Sequence, residues 1–348
     1  MKMRAALFFG AGDVRLQEVE IPRIGAGEVL IKIGTALTCG SDVKAFRQGH
    51  PVLLGENYPA PFGHELAGTI AEVGRGVKDF KPGTRVVAAN SAPCDQCFFC
   101  KRGKPNLCDH LDLLNGAYAE YIRIPARIVK HNLYEIPDHL SFKAAALTEP
   151  LACAVHAFER LSIPKGETVV ILGCGIMGLL FSAVAKIHGV RIIAVGRNRE
   201  KLNKARALGV DEVLDIGQWG QSINPVEEIK RFTPEGRGAD FVVEAIGKPE
   251  SWEQAFYLAR KGGTVCLFGG CAKGSSFTLD THRVHYQEVN VLGVFHHTPE
   301  HFAQALGFLA AGALNEDLFV TGEMRLEELS SYFLEASRSS LFKMAVIP

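Results

Sequence analysis

The sequence predicts an α/β protein in which a domain with a doubly wound parallel sheet is joined to a second, mainly β domain. The chain has 348 residues, enough for about two domains of roughly 150 residues each. Short β-type runs between Gly and Pro signals fill its first part, and from about Ala152 strand and helix patterns alternate. A glycine-rich turn joins the first strand and helix of that alternating part.

The first domain is predicted to be an antiparallel, barrel-like β structure. Its β-type runs are short, regularly spaced and bounded by turn residues, as is typical of such folds. The predicted strands are Ala5–Phe9, Val29–Ala36, Leu66–Val73, Arg85–Ala89 and Tyr118–Ile124.

The alternating part is predicted to form a parallel sheet covered by helices on both faces, because parallel strands need crossover connections. The predicted strands are Thr168–Leu172, Arg191–Val195, Glu212–Asp215, Phe241–Ala245, Thr264–Phe268 and Val289–Phe295. The predicted helices are Met177–His188, Glu200–Leu208 and, after the last strand, Pro299–Ala311. The tail returns to short β segments, so we predict one domain at 1–152 with a cysteine lobe at 90–110, a second at 153–295, and a return of 296–348 to the first.

The composition disfavours several classes of function. Hydrophobic residues make up 47% and charged residues 22%, as in an ordinary globular enzyme. Lys+Arg and Asp+Glu both number 38, a balance that favours neither nucleic acid nor an anionic membrane as partner. The longest uncharged apolar run, Val169–Ala185, is broken by glycines and flanked by strand and helix patterns, so we reject a membrane span.

The cysteines favour a reducing compartment. There are nine of them, and the N-terminal apolar run Ala5–Phe9 stops at Gly10, which is too short for a secretory signal. Clustered cysteines in a reducing compartment are more often metal ligands than disulfides. We therefore expect a cytoplasmic protein.

A glycine loop predicts a dinucleotide site. Gly173, Gly175 and Gly178 form a G-x-G-x-x-G that follows a β-branched strand and opens a helix, the context that the motif requires. Glycines there permit a tight turn, close approach of the pyrophosphate and close packing of helix on strand. The free N–H groups at the start of the helix, with Ile176 and Met177, would hold the phosphates. The alternative is a tight turn without a ligand.

The end of the next strand favours NADP over NAD. An acidic residue about 20 positions after the glycine loop would bind the ribose hydroxyl of NAD. This strand ends instead in Gly196 and Arg197, with Arg199 nearby and no carboxylate before Glu200. Gly196 removes bulk where a 2′-phosphate would lie, and the two arginines could pair with it. The alternative is a pair of solvated surface arginines.

Four closely spaced cysteines predict a structural zinc site. They are Cys94, Cys97, Cys100 and Cys108. Four thiolates satisfy tetrahedral zinc and leave no open position. An iron–sulfur cluster uses similar ligands, but nothing else suggests electron transfer. A nucleic-acid-binding zinc module is disfavoured because the lobe lacks a basic or aromatic stripe.

A second, dispersed set of residues predicts a catalytic zinc. Cys39 follows a predicted strand, His64 and Glu65 lie in a short glycine-flanked segment, and Glu149 begins a predicted helix. Each has an ordinary structural explanation when taken alone. Together they supply three types of zinc ligand, and three protein ligands with an open fourth position describe a catalytic zinc.

At these residues the sequence resembles the zinc-containing medium-chain dehydrogenases/reductases, in particular the branch with sorbitol and threonine dehydrogenases. The resemblance covers essentially the whole chain, through Gly63–Glu65, the cysteine lobe, Glu149–Leu151, the glycine loop and Gly293–Phe295. It implies a GroES-like catalytic domain with a Rossmann-type domain. It also implies a homodimer or homotetramer, with Val289–Phe295 at the edge where relatives extend the sheet across a dimer.

The resemblance also implies roles for individual residues. Cys39 and His64 match catalytic zinc ligands, and either Glu65 or Glu149 matches the third ligand of polyol dehydrogenases. The four lobe cysteines match the structural zinc, giving two zinc ions per chain. Ser41 matches the hydroxyl that starts the proton relay, and Lys201 matches a lysine near the adenosine ribose.

Three positions depart from the family pattern. Lys44 stands where many relatives have a histidine that passes the proton to solvent, so the relay must end through Lys44, the cofactor ribose or water. His296 and His297 stand where sorbitol dehydrogenases have an arginine and a tyrosine, which weakens sorbitol itself as the substrate.

The sequence therefore predicts a zinc-dependent dehydrogenase that moves hydride between a secondary alcohol, of the polyol class, and NAD(P). A threonine-type or simple alcohol dehydrogenase is the alternative among enzymes, and a zinc-free reductase of the same fold is disfavoured by the ligand set. A non-catalytic zinc- and nucleotide-binding protein is the alternative from another class, and a nucleic-acid-binding protein is disfavoured further.

Overall fold

The computed structural model describes residues 1–49, 54–55, 57–220, 222–336 and 342–348. The chain divides into two compact units, one formed by Met1–Ala152 with His297–Pro348 and the other by Cys153–His296.

The first unit is mainly β. Its strands are β1 (Lys2–Gly10), β2 (Asp13–Glu20), β3 (Val29–Leu37), β4 (Ala60–Pro61), β5 (Glu65–Val73), β6 (Arg85–Ala88), β7 (Ser91–Ala92), β8 (Asp112–Leu113), β9 (Tyr121–Ile124) and β10 (Leu133–Glu135). Its first helices are α1 (Gly40–Gln48), α2 (Ala126–Asn132) and α3 (Phe142–Ala146). Helix α4 (Thr148–Leu161) begins in this unit and contains the boundary with the second.

The second unit alternates strands and helices. Its strands are β11 (Thr168–Leu172), β12 (Arg191–Gly196), β13 (Glu212–Asp215), β14 (Ala239–Glu244), β15 (Ala259–Leu267) and β16 (Asn290–Gly293). Its helices are α5 (Ile176–Ile187), α6 (Arg199–Leu208), α7 (Pro225–Lys230), α8 (Pro249–Leu258) and α9 (Thr281–Tyr286).

The C-terminal segment completes the first unit. It contains α10 (Pro299–Ala310), β17 (Val320–Arg325), α11 (Leu329–Ala336) and β18 (Lys343–Ile347). Short 3₁₀ turns lie at Cys100–Arg102, Pro105–Leu107, Ile216–Gln218, Pro234–Gly236, Glu316–Leu318 and Leu326–Glu328.

The first unit is built around a seven-stranded sheet in the order β10-β6-β5-β3-β18-β17, with β9 also paired to β3. The order β2-β1-β4 forms a three-stranded sheet, and β7 pairs with β8. This unit has a core of buried apolar side chains, in which the Phe62 ring contacts the rings of Phe8, Tyr118 and Phe333. Strand β18 comes from the last residues of the chain, so the C-terminal segment is part of this unit's sheet.

The second unit holds a six-stranded sheet in the order β13-β12-β11-β14-β15-β16, with every pair parallel. This is the 3-2-1-4-5-6 order of the Rossmann fold, whose strand order reverses between the first and fourth strands. All five residues of β11 are buried, as expected for a central strand covered on both faces. The predicted combination of a doubly wound domain and a mainly β domain is confirmed.

Most strands differ from the predicted segments at one or both ends. The segment predicted at Val289–Phe295 is a strand only over Asn290–Gly293, at the sheet edge, where it has one neighbour. Strand β15 begins at Ala259, five residues before the predicted start. Strand β2 was not predicted. Its sequence is largely polar, and Val14 is its one buried side chain.

No helix in the described part of the chain is both long and apolar enough to cross a membrane. The run Val169–Ala185 contains most of strand β11, the glycine loop and most of helix α5.

Candidate active site

Strand register brings together the first predicted metal ligands. Strands β3 and β5 are antiparallel, with Leu37 opposite Glu65. Cys39 follows the end of β3, and His64 immediately precedes β5, so the pairing places these residues side by side. One ligand atom each from Cys39, His64 and Glu65 lies within 4.8 Å of the others.

Ser41 lies at the edge of this cluster, in the first turn of α1. Its hydroxyl donates to the Cys39 sulfur at 3.1 Å, and its oxygen is 3.4 Å from His64 Nε2. The side chain is partly accessible, whereas His64 is 4% exposed. The predicted hydroxyl therefore contacts two of the predicted ligands.

An acidic residue orients the His64 ring. The Nδ1 atom of His64 lies 3.0 Å from Asp42 Oδ1, and the Tyr118 hydroxyl donates to the other Asp42 oxygen. Both residues are buried. A carboxylate on Nδ1 fixes the ring so that Nε2 is the ligand atom, which is the usual outer arrangement of a zinc-bound histidine.

Glu65 is held by a lysine from the other end of the chain. Lys343 Nζ lies 2.5 and 2.6 Å from the two carboxylate oxygens of Glu65 and donates to the Thr38 carbonyl at 2.9 Å. Glu65 and Lys343 are 0% and 4% exposed. This pair forms because Ala345 of β18 lies opposite Leu37 of β3, and the same register carried two residues further places Lys343 opposite Cys39.

Glu149 lies in the first turn of α4 and is also buried. Its Oε1 is 3.8 Å from Nε2 of His297, which in turn lies 3.4 Å from Asn90 Oδ1. Burial raises the pKa of the Glu149 carboxyl to about 7. The ligand atom of Glu149 is not grouped with those of Cys39, His64 and Glu65.

The charges of the cluster favour a thiolate at Cys39. Burial raises the pKa of the thiol, but Lys343 and His64 oppose this effect and bring the pKa to about 7. A thiolate, an imidazole and a carboxylate are the donors that zinc takes in catalytic sites, with the fourth position left open. The residues present therefore fit a catalytic zinc.

The four cysteines of the lobe fit a second zinc. Their sulfur atoms lie within 4.8 Å of one another, with Cys97 Sγ 3.5 Å from Cys100 Sγ and 3.9 Å from Cys108 Sγ. Tetrahedral zinc with bonds of about 2.3 Å would separate its sulfur ligands by about 3.8 Å. Backbone N–H groups of Cys94 and His110 each donate to the Cys108 sulfur at 3.3 Å, and these bonds oppose the rise in the pKa of that thiol that burial causes.

The glycine loop of the second unit has the backbone that a dinucleotide site needs. Gly173 has φ 102°, and a Cβ there would lie 2.8 Å from the Ile246 side chain. A Cβ on Gly178 would lie 1.9 Å from the Gly173 carbonyl oxygen, so helix α5 approaches the loop through this glycine. Space beside Gly175, the N-cap of α5, is open. The loop lies at the carboxyl end of β11, where doubly wound sheets bind nucleotides.

The next strand places the residues predicted to select the cofactor. Strand β12 ends at Gly196, where a Cβ would meet the Leu202 and Cys174 side chains at 3.1 and 3.3 Å. Arg197 and Arg199 are exposed, one on each side of the N-cap of α6. Lys201 is partly buried, and burial lowers the pKa of its amino group.

Sequence reasoning did not assign Asp42, Tyr118 or Lys343 to the site. Asp42 directly follows Ser41 in the sequence, and this proximity to a predicted catalytic hydroxyl was a usable signal. Lys343 is a charged residue inside an otherwise apolar terminal strand, which is a second signal, although only the β3–β18 register shows its partner.

Two family descriptions match the chain. Residues 25–138 match the alcohol dehydrogenase GroES-like domain, and residues 177–311 match the zinc-binding dehydrogenase family. Sorbitol dehydrogenase of Bacillus subtilis (strain 168) is 31% identical over 332 residues, 94% of this chain and 91% of the relative. Erythritol/L-threitol dehydrogenase of Mycolicibacterium smegmatis is 33% identical, covering 100% of this chain and 98% of the relative.

Solved structures share the fold over the whole chain. A proposed zinc-binding dehydrogenase from Sinorhizobium meliloti 1021, solved with NADP bound, is 29% identical with a TM-score of 0.89 and complete coverage of both chains. The 2R,3R-butanediol dehydrogenase of Bacillus subtilis is 28% identical with a TM-score of 0.87, covering 99% of each chain. These similarities confirm the resemblance predicted from the sequence. The chain belongs to the zinc-type medium-chain alcohol dehydrogenases, in the branch that contains sorbitol and threonine dehydrogenases.

Proposed function

We propose that this dehydrogenase transfers hydride between a polyol and NAD(P), using Cys39 and His64 as zinc ligands and Ser41 as the proton acceptor. The observation that carries the proposal is the buried cluster of Cys39, His64 and Glu65 with the Ser41 hydroxyl at its edge. Several relatives in the same branch are named polyol dehydrogenases, for sorbitol, erythritol/L-threitol and D-arabinitol.

The protein's own residues divide the chemical work. Zinc, when bound, acts as a Lewis acid that lowers the pKa of the alcohol. Cys39 and His64 hold it, with Glu65 or Glu149 as the third protein ligand, and Asp42 fixes the His64 ring. Ser41 accepts the alcohol proton because its hydroxyl lies against both of the first two ligands.

The onward path of the proton differs from that of many relatives, since Lys44 replaces their histidine. Lys44 lies one turn of α1 after Ser41 and is partly accessible. We propose that the proton continues from Ser41 to water or to the cofactor ribose.

Buried polar groups of the first unit favour a substrate with several hydroxyls. Asn90, Glu149 and His297 form a buried polar chain in the first unit. Polar groups in a pocket select hydroxyl-bearing substrates strongly, because an apolar analogue leaves them without hydrogen bonds. A threonine-type activity is the alternative within the branch, since L-threonine 3-dehydrogenase of Bacillus velezensis is 31% identical.

We propose that NADP is preferred over NAD. Arg197 and Arg199 follow a strand end that carries glycine instead of an acidic residue. This arrangement suits a 2′-phosphate, which needs space and positive charge. The relative from Sinorhizobium meliloti was solved with NADP. A second zinc in the four-cysteine lobe would have a structural role, because four thiolates leave no open position.

We propose a cytoplasmic homo-oligomer, a dimer or tetramer. Strand β16 lies at the edge of the parallel sheet, and its Val291 side chain is 38% exposed. An exposed apolar edge strand favours pairing with a second copy. The sequence has nine cysteines, four of them grouped as possible metal ligands in the lobe, in keeping with a reducing compartment.

A substrate panel tests the proposal. Zinc-loaded protein is mixed with NADP⁺ or NAD⁺ and with polyols, L-threonine or simple secondary alcohols, and reduced nicotinamide is followed by its near-ultraviolet absorbance. We expect reduction with a polyol, faster with NADP⁺. Reduction with L-threonine alone would support the alternative, and no reduction despite bound zinc and dinucleotide would contradict the enzymatic proposal.

A further inference from the structure

We propose that Glu244 is a positioning residue of the dinucleotide site, because it holds the turns that follow β14 and β15 beside the glycine loop. These turns comprise residues 245–247 and 268–270, and both lie at the carboxyl edge of the parallel sheet. Doubly wound folds bind nucleotides at this edge. The role rests on the proposed use of NAD(P), and it belongs to a residue outside both the glycine motif and the arginine-bearing loop.

The side chain of Glu244 holds the first of these turns. Glu244 is the last residue of β14 and is 0% exposed. Its Oε1 atom accepts hydrogen bonds from the backbone N–H groups of Ile246 at 2.7 Å and of Gly247 at 2.9 Å. The Ser251 hydroxyl, in the first turn of α8, lies 2.7 Å from the same oxygen. One carboxylate oxygen therefore joins the end of β14, the turn and the start of α8.

The backbone of Glu244 holds the second turn. Its carbonyl oxygen accepts hydrogen bonds from the N–H groups of Phe268 at 3.0 Å and of Gly269 at 2.8 Å. A Cβ on Gly269 would lie 2.8 Å from Glu244 Oε2 and 2.4 Å from the Gly247 nitrogen, so the two turns approach each other through this glycine. The Trp252 ring N–H donates to the Gly269 carbonyl at 3.0 Å. Both turns are thus fixed to the same residue and to each other.

The first turn also packs against the glycine loop. The Ala245 N–H donates to the Leu172 carbonyl, at the end of β11, at 2.9 Å. A Cβ on Gly173 would lie 2.8 Å from the Ile246 side chain and 3.3 Å from the Ala245 backbone. Ile246 is 50% exposed, at the point where the strand order reverses between β11 and β14. A shift of residues 245–247 would therefore change the crevice in which a doubly wound sheet binds its nucleotide.

The acceptor oxygen of Glu244, and not its negative charge, is what this role requires. Glutamine keeps an oxygen at this position, whereas methionine fills similar space without a strong acceptor for the two N–H groups. Burying unpaired N–H groups is unfavourable, so we expect residues 245–247 to change conformation in Glu244→Met and not in Glu244→Gln. Both variants are neutral, so they differ chiefly in these hydrogen bonds.

Calorimetric titration of the zinc-loaded protein with NADP⁺ measures the effect without reference to turnover. We expect Glu244→Met to raise the Kd for NADP⁺ by about tenfold, as the loss of two hydrogen bonds would, and Glu244→Gln to stay within about threefold of the wild type. Ser251→Ala is a milder change that removes one contact to the carboxylate, and it should raise the Kd by about threefold. Zinc content should match the wild type in all three variants.

Asp240→Ala is the matched control, because Asp240 lies near the amino end of the same strand. Its Oδ2 atom accepts a hydrogen bond from the Thr168 N–H at 2.7 Å, and its side chain is 14% exposed. It is therefore a similar carboxylate at the opposite edge of the sheet. Its loss should lower the melting temperature, as Glu244→Met should, but leave the Kd for NADP⁺ unchanged.

Three results would overturn the role of Glu244. The first is wild-type affinity for NADP⁺ in both Glu244→Met and Ser251→Ala. The second is an equal loss of affinity in Glu244→Met and Asp240→Ala, because the effect would then follow from the stability of the sheet. The third is an equal loss in Glu244→Gln and Glu244→Met, because glutamine keeps the acceptor. If the wild type binds neither NADP⁺ nor NAD⁺, the proposed function fails instead.

Discussion

Ser41 has the most specific role of any single residue in the proposed reaction. Its hydroxyl contacts the Cys39 sulfur and lies 3.4 Å from His64 Nε2, and its side chain is only partly buried. We expect Ser41→Ala to lower kcat by about 10²- to 10⁴-fold, the usual contribution of a positioned proton acceptor. Steady-state kinetics on zinc-loaded protein measure the effect.

Ser41→Thr is the matched control for that prediction, because it keeps the hydroxyl and should retain much of the activity. Melting temperature and zinc content should match the wild type in both variants. Full activity in Ser41→Ala would remove Ser41 from the proton path.

Asp42 acts on the candidate zinc site indirectly, by holding the ring of His64. Replacing it by asparagine leaves the size of the side chain but removes the charge that faces Nδ1 at 3.0 Å. Residues in this position contribute about 10- to 100-fold to metal affinity. We expect Asp42→Asn to weaken zinc binding at the catalytic site by that factor in a chelator competition, while zinc in the cysteine lobe is retained.

The sequence predicted three residues that the structure brings together, Cys39, His64 and Glu65, because their motifs are recognisable. The residues that hold these ligands in place could not be predicted, because strand register decides which residues they contact. Lys343 is 278 positions from Glu65, and only the pairing of β18 with β3 joins them. Tyr118 was predicted inside a strand, whereas it precedes β9 and its hydroxyl reaches Asp42.

At the scale of elements, the cysteine lobe and the β3–β5 cluster should respond differently to the loss of one ligand. The lobe consists mainly of turns and two short 3₁₀ segments, so a bound metal would stabilise its fold. We expect Cys100→Ser to lower the melting temperature and increase proteolysis near residues 94–108.

Cys39→Ser is the comparison for the lobe variant, since Cys39 lies at the end of a strand that is paired on both sides. It should stop turnover with little change in melting temperature. An equally large loss of stability in both variants would contradict this division of structural and catalytic roles.

The loop between β12 and α6 is predicted to select the cofactor. Charge-assisted hydrogen bonds contribute about 1.5–3 kcal/mol each, or roughly 10- to 100-fold in affinity. We expect the double variant Arg197→Ala/Arg199→Ala to raise KM for NADP⁺ by at least about tenfold and to leave KM for NAD⁺ nearly unchanged. Equal losses with both cofactors would mean that the arginines do not contact a 2′-phosphate.

The buried central elements were predicted well and the edges less well. Strand β11 has the predicted bounds, Thr168–Leu172, because its residues are buried on both faces and form an uninterrupted apolar run. Strand β16 is shorter than predicted, since an edge strand is defined by pairing with one neighbour and not by its own composition. Strand β2 lacks the apolar pattern because most of its side chains are not buried.

At the scale of the whole molecule, the chain combines a dinucleotide fold with a cluster of candidate metal ligands built from distant segments. Cys39, His64 and Lys343 come from three strands or strand ends that are adjacent in one sheet. The glycine loop and strand β12 belong to the other unit, whose strand order is that of a dinucleotide-binding sheet. Each unit therefore supplies one of the two components that a zinc-dependent dehydrogenase requires.

The zinc dependence of polyol oxidation tests the central claim most directly. Wild-type protein is assayed with NADP⁺ and the best polyol of the panel after zinc removal and again after zinc is restored, with Cys39→Ser treated in parallel. We predict that activity is lost and recovered in the wild type and is absent throughout in Cys39→Ser. Full activity in Cys39→Ser, or in wild-type protein freed of zinc, would contradict the account.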